Sequence, residues 1–299
     1  MSRLRALVLG AAAGGGLPQW NCACRNCTLA REGKIPVQTQ SSLAASADGA
    51  DWVILNASPD IRAQLAANRQ MWPQSLRGSP VRCVILTNGD IDHIGGLLTL
   101  REKQPFRLFL TQSLNEILSA NPIFAALDSA LVERVICELD AWFEVLPGLS
   151  ARLFAVAGKV PLYLESGSVD STLMGGQTVG AELKTADARL VYVPGCSKMT
   201  DEIKGVLDGA DALFFDGTLY RDDEMVTEGL GSKTGLRMGH MPISGPEGSL
   251  EMLMGVSAKR KVYVHMNNTN PVWRPDSEER LAVESAGAEI GFDGMELLL

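Results

Sequence analysis

Histidine is scarce in this chain: three in 299 residues, at His93, His240 and His265. Any nitrogen-ligated centre must draw on these few and fill its remaining positions with carboxylates or thiolates. No apolar run approaches the length that a membrane-spanning helix needs, so no membrane span is expected. There is no Lys/Arg-rich run, and the formal net charge is -8. Together these argue against a surface that tracks nucleic-acid phosphates. Internal repeats and low-complexity linkers are absent too. The cysteines are few, six in all, and not spaced as a disulfide framework. Three cluster at Cys22, Cys24 and Cys27, whereas Cys83, Cys137 and Cys196 each lie within or beside an apolar run. That usage fits a reducing compartment, and a cytoplasmic location is expected. The first residues have a basic start and an apolar stretch, but the stretch is short and breaks into glycines. It reads as a buried strand entering a glycine-rich turn rather than as a leader.

What is present is α/β patterning. Short apolar, β-branched runs recur as LRALVLG, DWVILNAS, VRCVILTN, FRLFLTQ, ARLFAVAG, ARLVYVPG, ALFFDGT and KVYVHMNN. Near-continuous apolar strands imply sheets covered on both faces. Helical periodicity is expected at 59–68, 94–103, 114–120, 122–135, 201–207, 245–255 and 277–286. The segment 167–177, rich in Gly, Ser and Thr, is expected to be a hairpin loop between YLES and TVGAELK. The chain is read as one layered α/β domain over residues 1–299, helices outside and sheets inside, with a cysteine loop at 20–30.

Cys22-Ala-Cys24-Arg-Asn-Cys27 places three thiolates within one tight turn. Zinc favours thiolates and four tetrahedral ligands, so this loop is expected to hold a structural Zn2+ with a fourth ligand from elsewhere in the chain. Three ordinary buried cysteines, or a redox pair, are the alternatives. A redox pair needs only a Cys-x-x-Cys, and three thiols this close in a polar loop are an oxidation liability without metal.

The most informative segment is VRCVILTNGDIDHIGGLLTLRE. A buried strand ends at Thr87, a loop carries Asn88, Asp90, Asp92 and His93, and Gly95-Gly96 opens a helix. A strand-end loop feeding a helix is a favoured ligand position in α/β proteins. The bland reading is that Asp92-His93 caps the helix. All three histidines, however, sit at loops or strand ends, which favours a common metal site. The segment resembles the metallo-β-lactamase superfamily signature T-H-x-H-x-D-H-x-x-G, with Asn88 and Asp90 where that family has histidines and with Asp92 and His93 kept. The stretches Val156–Val160 and Val193–Cys196 lack that family's further metal histidine and bridging aspartate. A full dinuclear site of that kind needs about five histidines. Three cannot supply it.

The whole set of motifs resembles the family of pyrroloquinoline quinone (PQQ) biosynthesis B proteins. It comprises the cysteine cluster, Asn56-Ala-Ser-Pro-Asp60, Asp92-His93-x-x-Gly, Phe215-Asp-Gly-Thr218, Met238-Gly-His240, His265-Met-Asn-Asn-Thr-Asn-Pro271 and Gly291-Phe-Asp-Gly-Met295. The resemblance implies a four-layered αββα sandwich. It also implies an active-site metal held by Asp92, His93, His240 and His265, with Asp90, Asp216 and Asn88 in catalytic roles. A neighbouring phosphodiesterase family shares the cysteine cluster and has histidine as fourth zinc ligand, where this chain has Asn268. The fourth ligand is thus Asn268, another side chain or water. The implied activity is iron-dependent hydroxylation of the tyrosine ring of a Glu-Tyr precursor, with Fe2+ as cofactor, O2 as co-substrate and other PQQ pathway proteins as partners. A reduced-site metallo-hydrolase and a soluble carrier of PQQ or its precursor towards the periplasm are the competing readings.

Overall fold

The computed structural model describes residues 3–299. Six strands come first: β1 (Arg5–Gly10), β2 (Ser42–Ser46), β3 (Trp52–Leu55), β4 (Val81–Ile85), β5 (Phe106–Leu110) and β6 (Val132–Ile136). The second half adds β7 (Trp142–Leu146), β8 (Leu149–Ala155), β9 (Val179–Lys184), β10 (Arg189–Val193), β11 (Ala212–Asp216), β12 (Arg260–Val264), β13 (Glu289–Ile290) and β14 (Glu296–Leu298). They form two seven-stranded sheets, ordered β14-β1-β2-β3-β4-β5-β6 and β13-β12-β11-β10-β9-β8-β7. Each half of the chain builds one sheet, except that β14 crosses back to pair antiparallel with β1.

The period-2 geometry of β1 shows how the layers are held. Ala6 and Val8 face a core shared with the second sheet, where they join Val53, Ile85, Leu153, Val191 and Phe214. Leu7 and Leu9 face the other way, into a second core with Ile54, Val84, Leu108 and the helix residues Ile61, Leu114 and Leu118. Both faces of this strand are dry, as its unbroken apolar run requires. Helix residues Ile203, Leu207, Leu253 and Val283 belong to the cluster that includes the second sheet. The result is the helix–sheet–sheet–helix sandwich that was expected. Each fully buried Leu or Ile in it contributes about 1.5–3 kcal/mol over an exposed one.

All eight apolar runs are strands, and four helices fall close to their expected spans, at Ile61–Ala67, Gln112–Ala120, Asp201–Leu207 and Glu278–Ser285. Three expectations need correction. Residues 122–135 are not one helix: a 3-10 turn spans Pro122–Ala126, and Val132–Ile136 is β6, paired parallel with β5. Asp128 ends the turn by accepting the Ala130 N–H, and the β-branched run that follows suits an edge strand better than a helix. The helix expected over 94–103 is instead a single α-turn, Ile91–Ile94, followed by 3-10 winding over Gly95–Arg101. A Cβ at Gly96 would lie 2.1 Å from the Ser58 carbonyl oxygen, so only glycine allows this close approach. Finally, YLES forms no strand. Leu162–Leu164 is a 3-10 turn, and the hairpin partner of β9 is β8.

Candidate metal centre and cysteine loop

Parallel pairing runs through β3-β4-β5-β6 in one sheet and β10-β11-β12-β13 in the other. The loops that leave β4, β11 and β12 therefore emerge together at carboxyl ends of strands, where ligand sites of α/β proteins gather. The segment after β4 leads to His93, Asp216 is the last residue of β11, and His265 is the first after β12. His265 follows β12 with φ 58°, a left-handed conformation uncommon for a non-glycine residue and most often kept where function demands it.

The structure brings the expected residues into two overlapping groups, Asp92–His93–His265 and Asp216–His240–His265, each with its ligand atoms within 4.8 Å of one another. His93 is 1% exposed. Its Nδ1 lies 2.7 Å from Asn88 Oδ1, an acceptor that fixes the proton on Nδ1. Nε2 is then a bare lone pair, buried and without a hydrogen-bond partner among the described residues. A buried, unsatisfied acceptor of this kind costs free energy unless something fills it. Burial pushes the His93 pKa down to about 4, so the ring stays neutral and able to coordinate. Burial also opposes charge on Asp92, but the neighbouring His93 and the His265 hydrogen bond outweigh it and hold the carboxyl below its usual range. His265 Nε2 lies 3.1 Å from Asp92 Oδ2. Burial lowers the His265 pKa, yet its bond to Asp92 and the surrounding carboxylates win, and the net shift is upward.

Asp216 was expected as a catalytic carboxylate and His240 as a metal ligand. They are direct partners: His240 Nδ1 lies 2.8 Å from Asp216 Oδ2. The same Oδ2 accepts the Cys196 N–H at 2.9 Å. The carboxylate missing from the Val193–Cys196 stretch thus arrives from the neighbouring strand, β11. Thr218 went unnoticed in the sequence. Its Oγ1 donates to Asp216 Oδ1 at 2.7 Å and lies 2.8 Å from His265 Nδ1 and 3.0 Å from His240 Nδ1. No signal in a Gly-Thr pair marks that role, because the contacts span 22 and 47 residues.

Asp90 is set back from the histidines and accepts the Leu162 N–H at 3.2 Å. Burial, then the charge of Asp92, raise its pKa. A cavity of about 320 Å³ opens over the cluster, lined by Asp90, Asp92, His240 and His265 together with Lys159, Lys233 and the apolar Leu162, Met225 and Met238.

The cysteine loop lies close by. Cys24 precedes the helix Arg25–Arg31, and Cys22, Cys24 and Cys27 converge within ligating distance. Asn268 is the group facing them: its side-chain amide nitrogen stands 3.2, 3.4 and 3.3 Å from the three sulfurs. The two ends of an amide are interchangeable by a flip, so an oxygen can occupy the same corner. Burial drives the Cys27 thiol up to about 11. At Cys22 burial is outweighed by hydrogen bonds from the Cys24 N–H, the other thiols and Asn268, and the shift is downward. Three converging sulfurs and one amide make a four-donor set, the number and kind that zinc takes. The imidazole and carboxylate set of the other centre fits a divalent transition metal with positions to spare.

Asn88→Ala is expected to weaken metal binding at the histidine centre by 10–100-fold, the range typical of lost outer partners of a ligating histidine. Competition with a chromophoric chelator measures it. An unchanged affinity would show that Asn88 does not set the His93 tautomer.

These features define a β-lactamase superfamily protein, and the family described as Beta-lactamase superfamily domain matches residues 51–266. Coenzyme PQQ synthesis protein B of Rhizobium meliloti is 58% identical over 300 residues, covering 100% of this chain and 99% of the relative. The protein of the same name from Ruegeria pomeroyi is 54% identical, covering 99% of this chain and 100% of that one. The crystal structure of Zn2+-bound PqqB from Methylobacterium extorquens superposes with TM-score 0.97 at 48% identity, over 99% of this chain and 100% of that one. A diphosphatase of the PhnP family shares the fold alone, at TM-score 0.70 and 19% identity over 99% of this chain and 97% of that one. The chain belongs to the coenzyme PQQ synthesis protein B family.

Proposed function

We propose that this protein serves PQQ biosynthesis as a metal-dependent oxygenase that hydroxylates the tyrosine ring of the Glu-Tyr precursor, with iron at the histidine centre. The observation that carries this reading is the bare, buried Nε2 of His93 beside Asp92 and His265. Two imidazoles and one carboxylate with open positions are the donor set of non-haem Fe(II) oxygenases. An iron ion held there supplies the binding and activation of O2. The balance is one ring C–H converted to C–OH, with the second oxygen leaving as water and two electrons and two protons coming from an external reductant.

The chain's own residues do the rest. Asn88 holds the proton on His93 Nδ1, and Thr218 orients His240 and His265. Leu162, Met225 and Met238 give the phenol ring an apolar wall. Asp90, whose carboxyl is raised, can hold a proton at the cavity for the departing water.

Anaerobic loading with Fe(II), followed by Glu-Tyr, O2 and a reductant, tests this by mass spectrometry of the product. Gain of oxygen on the ring is expected with Fe(II) and not with Zn2+. Bound iron with unchanged substrate would defeat the reading. Turnover by the zinc form without O2 would establish a hydrolase instead.

A further inference from the structure

Two residues of the same cavity's lining, Lys159 and Lys233, join Arg237 in surrounding one carboxylate. Glu165 Oε1 lies 2.9 Å from Lys159 Nζ, and its Oε2 lies 3.1 Å from an Arg237 guanidinium nitrogen and 3.6 Å from Lys233 Nζ. The Glu165 and Lys159 side chains are only 11% and 10% exposed. Within this ring three positive charges meet one negative, while beyond it the Lys159 charge also acts on the Asp90 carboxyl; a pair that merely braced a loop would need a single cation. The surplus is placed at the site, since Lys159 and Lys233 line the cavity beside Asp92, His240 and His265. Arg237 Nη1 is buried and has no acceptor among the described residues. It is a free donor on a planar fork of the kind that grips carboxylates.

Local structure holds the cations in place. Arg237 ends the helical turn Gly235–Met238, capped by Thr234, and His240 follows within three residues. Gly239 between them is left-handed, at φ 96°, and an added Cβ would stand 3.4 Å from Lys159 Cγ. Glu165 arrives from the opposite wall, on a loop tied to the floor by Leu162 N–H to Asp90 and by the Tyr163 hydroxyl to the Gly89 carbonyl.

We propose that Lys159, Lys233 and Arg237 form a carboxylate-binding lip that selects an aromatic dicarboxylate substrate, and that Glu165 occupies this lip while no substrate is bound. The inference deepens the proposed function and rests on it for the ligand. A Glu-Tyr dipeptide carries two carboxylates and one ammonium at neutral pH; the lip offers its cations to the carboxylates, and the cavity carboxylates Asp90 and Asp92 lie on the ammonium's side of the charge balance. Glu165 acts as an internal competitor, so its removal strengthens binding, whereas a brace would be weakened by the same change.

The test is calorimetric binding of Glu-Tyr, and of Glu-Tyr with both carboxyls amidated, to the zinc-loaded full-length protein. Zinc has no redox chemistry and keeps binding separate from turnover. The wild type is expected to prefer the dicarboxylate at least 10-fold. The double variant Lys233→Met/Arg237→Gln is expected to lose at least 10-fold for Glu-Tyr and nothing for the diamide. Glu165→Gln is expected to bind Glu-Tyr several-fold more tightly. Equal binding by all three proteins, weaker binding by Glu165→Gln, or no binding of Glu-Tyr or PQQ to the wild type would overturn the lip. If PQQ binds in the variant-sensitive way and Glu-Tyr does not, the lip stands and the Glu-Tyr reading fails. If the iron form hydroxylates Glu-Tyr with the same KM in the double variant, the lip fails and the hydroxylase stands.

Discussion

His265→Ala is expected to reduce kcat/KM for the proposed tyrosine hydroxylation by about 10³-fold or more, and to leave the histidine centre without tightly bound metal. His265 is the residue shared by both ligand groups, Asp92–His93–His265 and Asp216–His240–His265. Its removal therefore leaves each group with one histidine and one carboxylate. His93→Ala is expected to disrupt the first group alone. A loss of 10³-fold corresponds to about 4 kcal/mol of transition-state stabilisation. Iron content by mass spectrometry, measured with kcat and KM, separates lost metal from lost chemistry. A His265→Ala protein that kept full iron and full activity would remove this histidine from the centre. The imidazole is almost buried, at 6% side-chain exposure, so folding needs its own check by circular dichroism. His265→Gln fills more of the space and should give the same catalytic loss.

The second large effect is expected at the cysteine loop. Cys27→Ser should lower zinc content by one equivalent per chain and the melting temperature by about 5 °C. Cys27 is fully buried and its sulfur faces the Asn268 amide. Loss of a structural zinc ligand removes binding energy that is also folding energy. A destabilisation of about 3–4 kcal/mol shifts the midpoint of a chain this size by roughly 5 °C. Asn268→His should act in the opposite direction and hold zinc more tightly, since imidazole is a better zinc ligand than an amide. Zinc stoichiometry and calorimetric melting check both. Full zinc and an unchanged midpoint in Cys27→Ser would reduce the cluster to three packed thiols.

Much of this architecture was legible in the sequence, because near-continuous apolar runs mark strands buried on both faces, as at VRCVILTN and ALFFDGT. Less could be read where two local signals compete. Pro122 announces a helical turn, but nothing in its neighbourhood says that the β-branched Val132–Ile136 will be claimed by β5. The same limit governs the site. Asp92, His93, His240 and His265 were readable because ligand types are rare in this chain and lie at strand ends. Thr218 and the ring of Lys159, Glu165, Lys233 and Arg237 were not. Lysine, glutamate and threonine are common on any surface, and only folding brings positions 159, 165, 233 and 237 around one carboxylate. Asp216 was recognised as a strand-end carboxylate, yet its contact with the Cys196 N–H depends on two strands lying side by side.

The turn after β12 ties the two centres together. His265 and Asn268 lie three residues apart on one segment, and Asn267 N–H bonds to the Thr218 carbonyl. From the cysteine side, Asn26 grips the Asn268 and Asn270 carbonyls, and Asn270 in turn donates to the Gly217 carbonyl. Linkage is reciprocal: whatever factor a metal in the thiolate loop contributes to metal affinity at the histidine centre, the second metal returns to the first. Metal loading is then expected to be one coupled equilibrium rather than two separate ones, each ion held best by chains that already hold the other. A protein prepared in chelator that strips the thiolate loop first would look like a poor metal binder at the histidine centre, although every residue of that centre were intact.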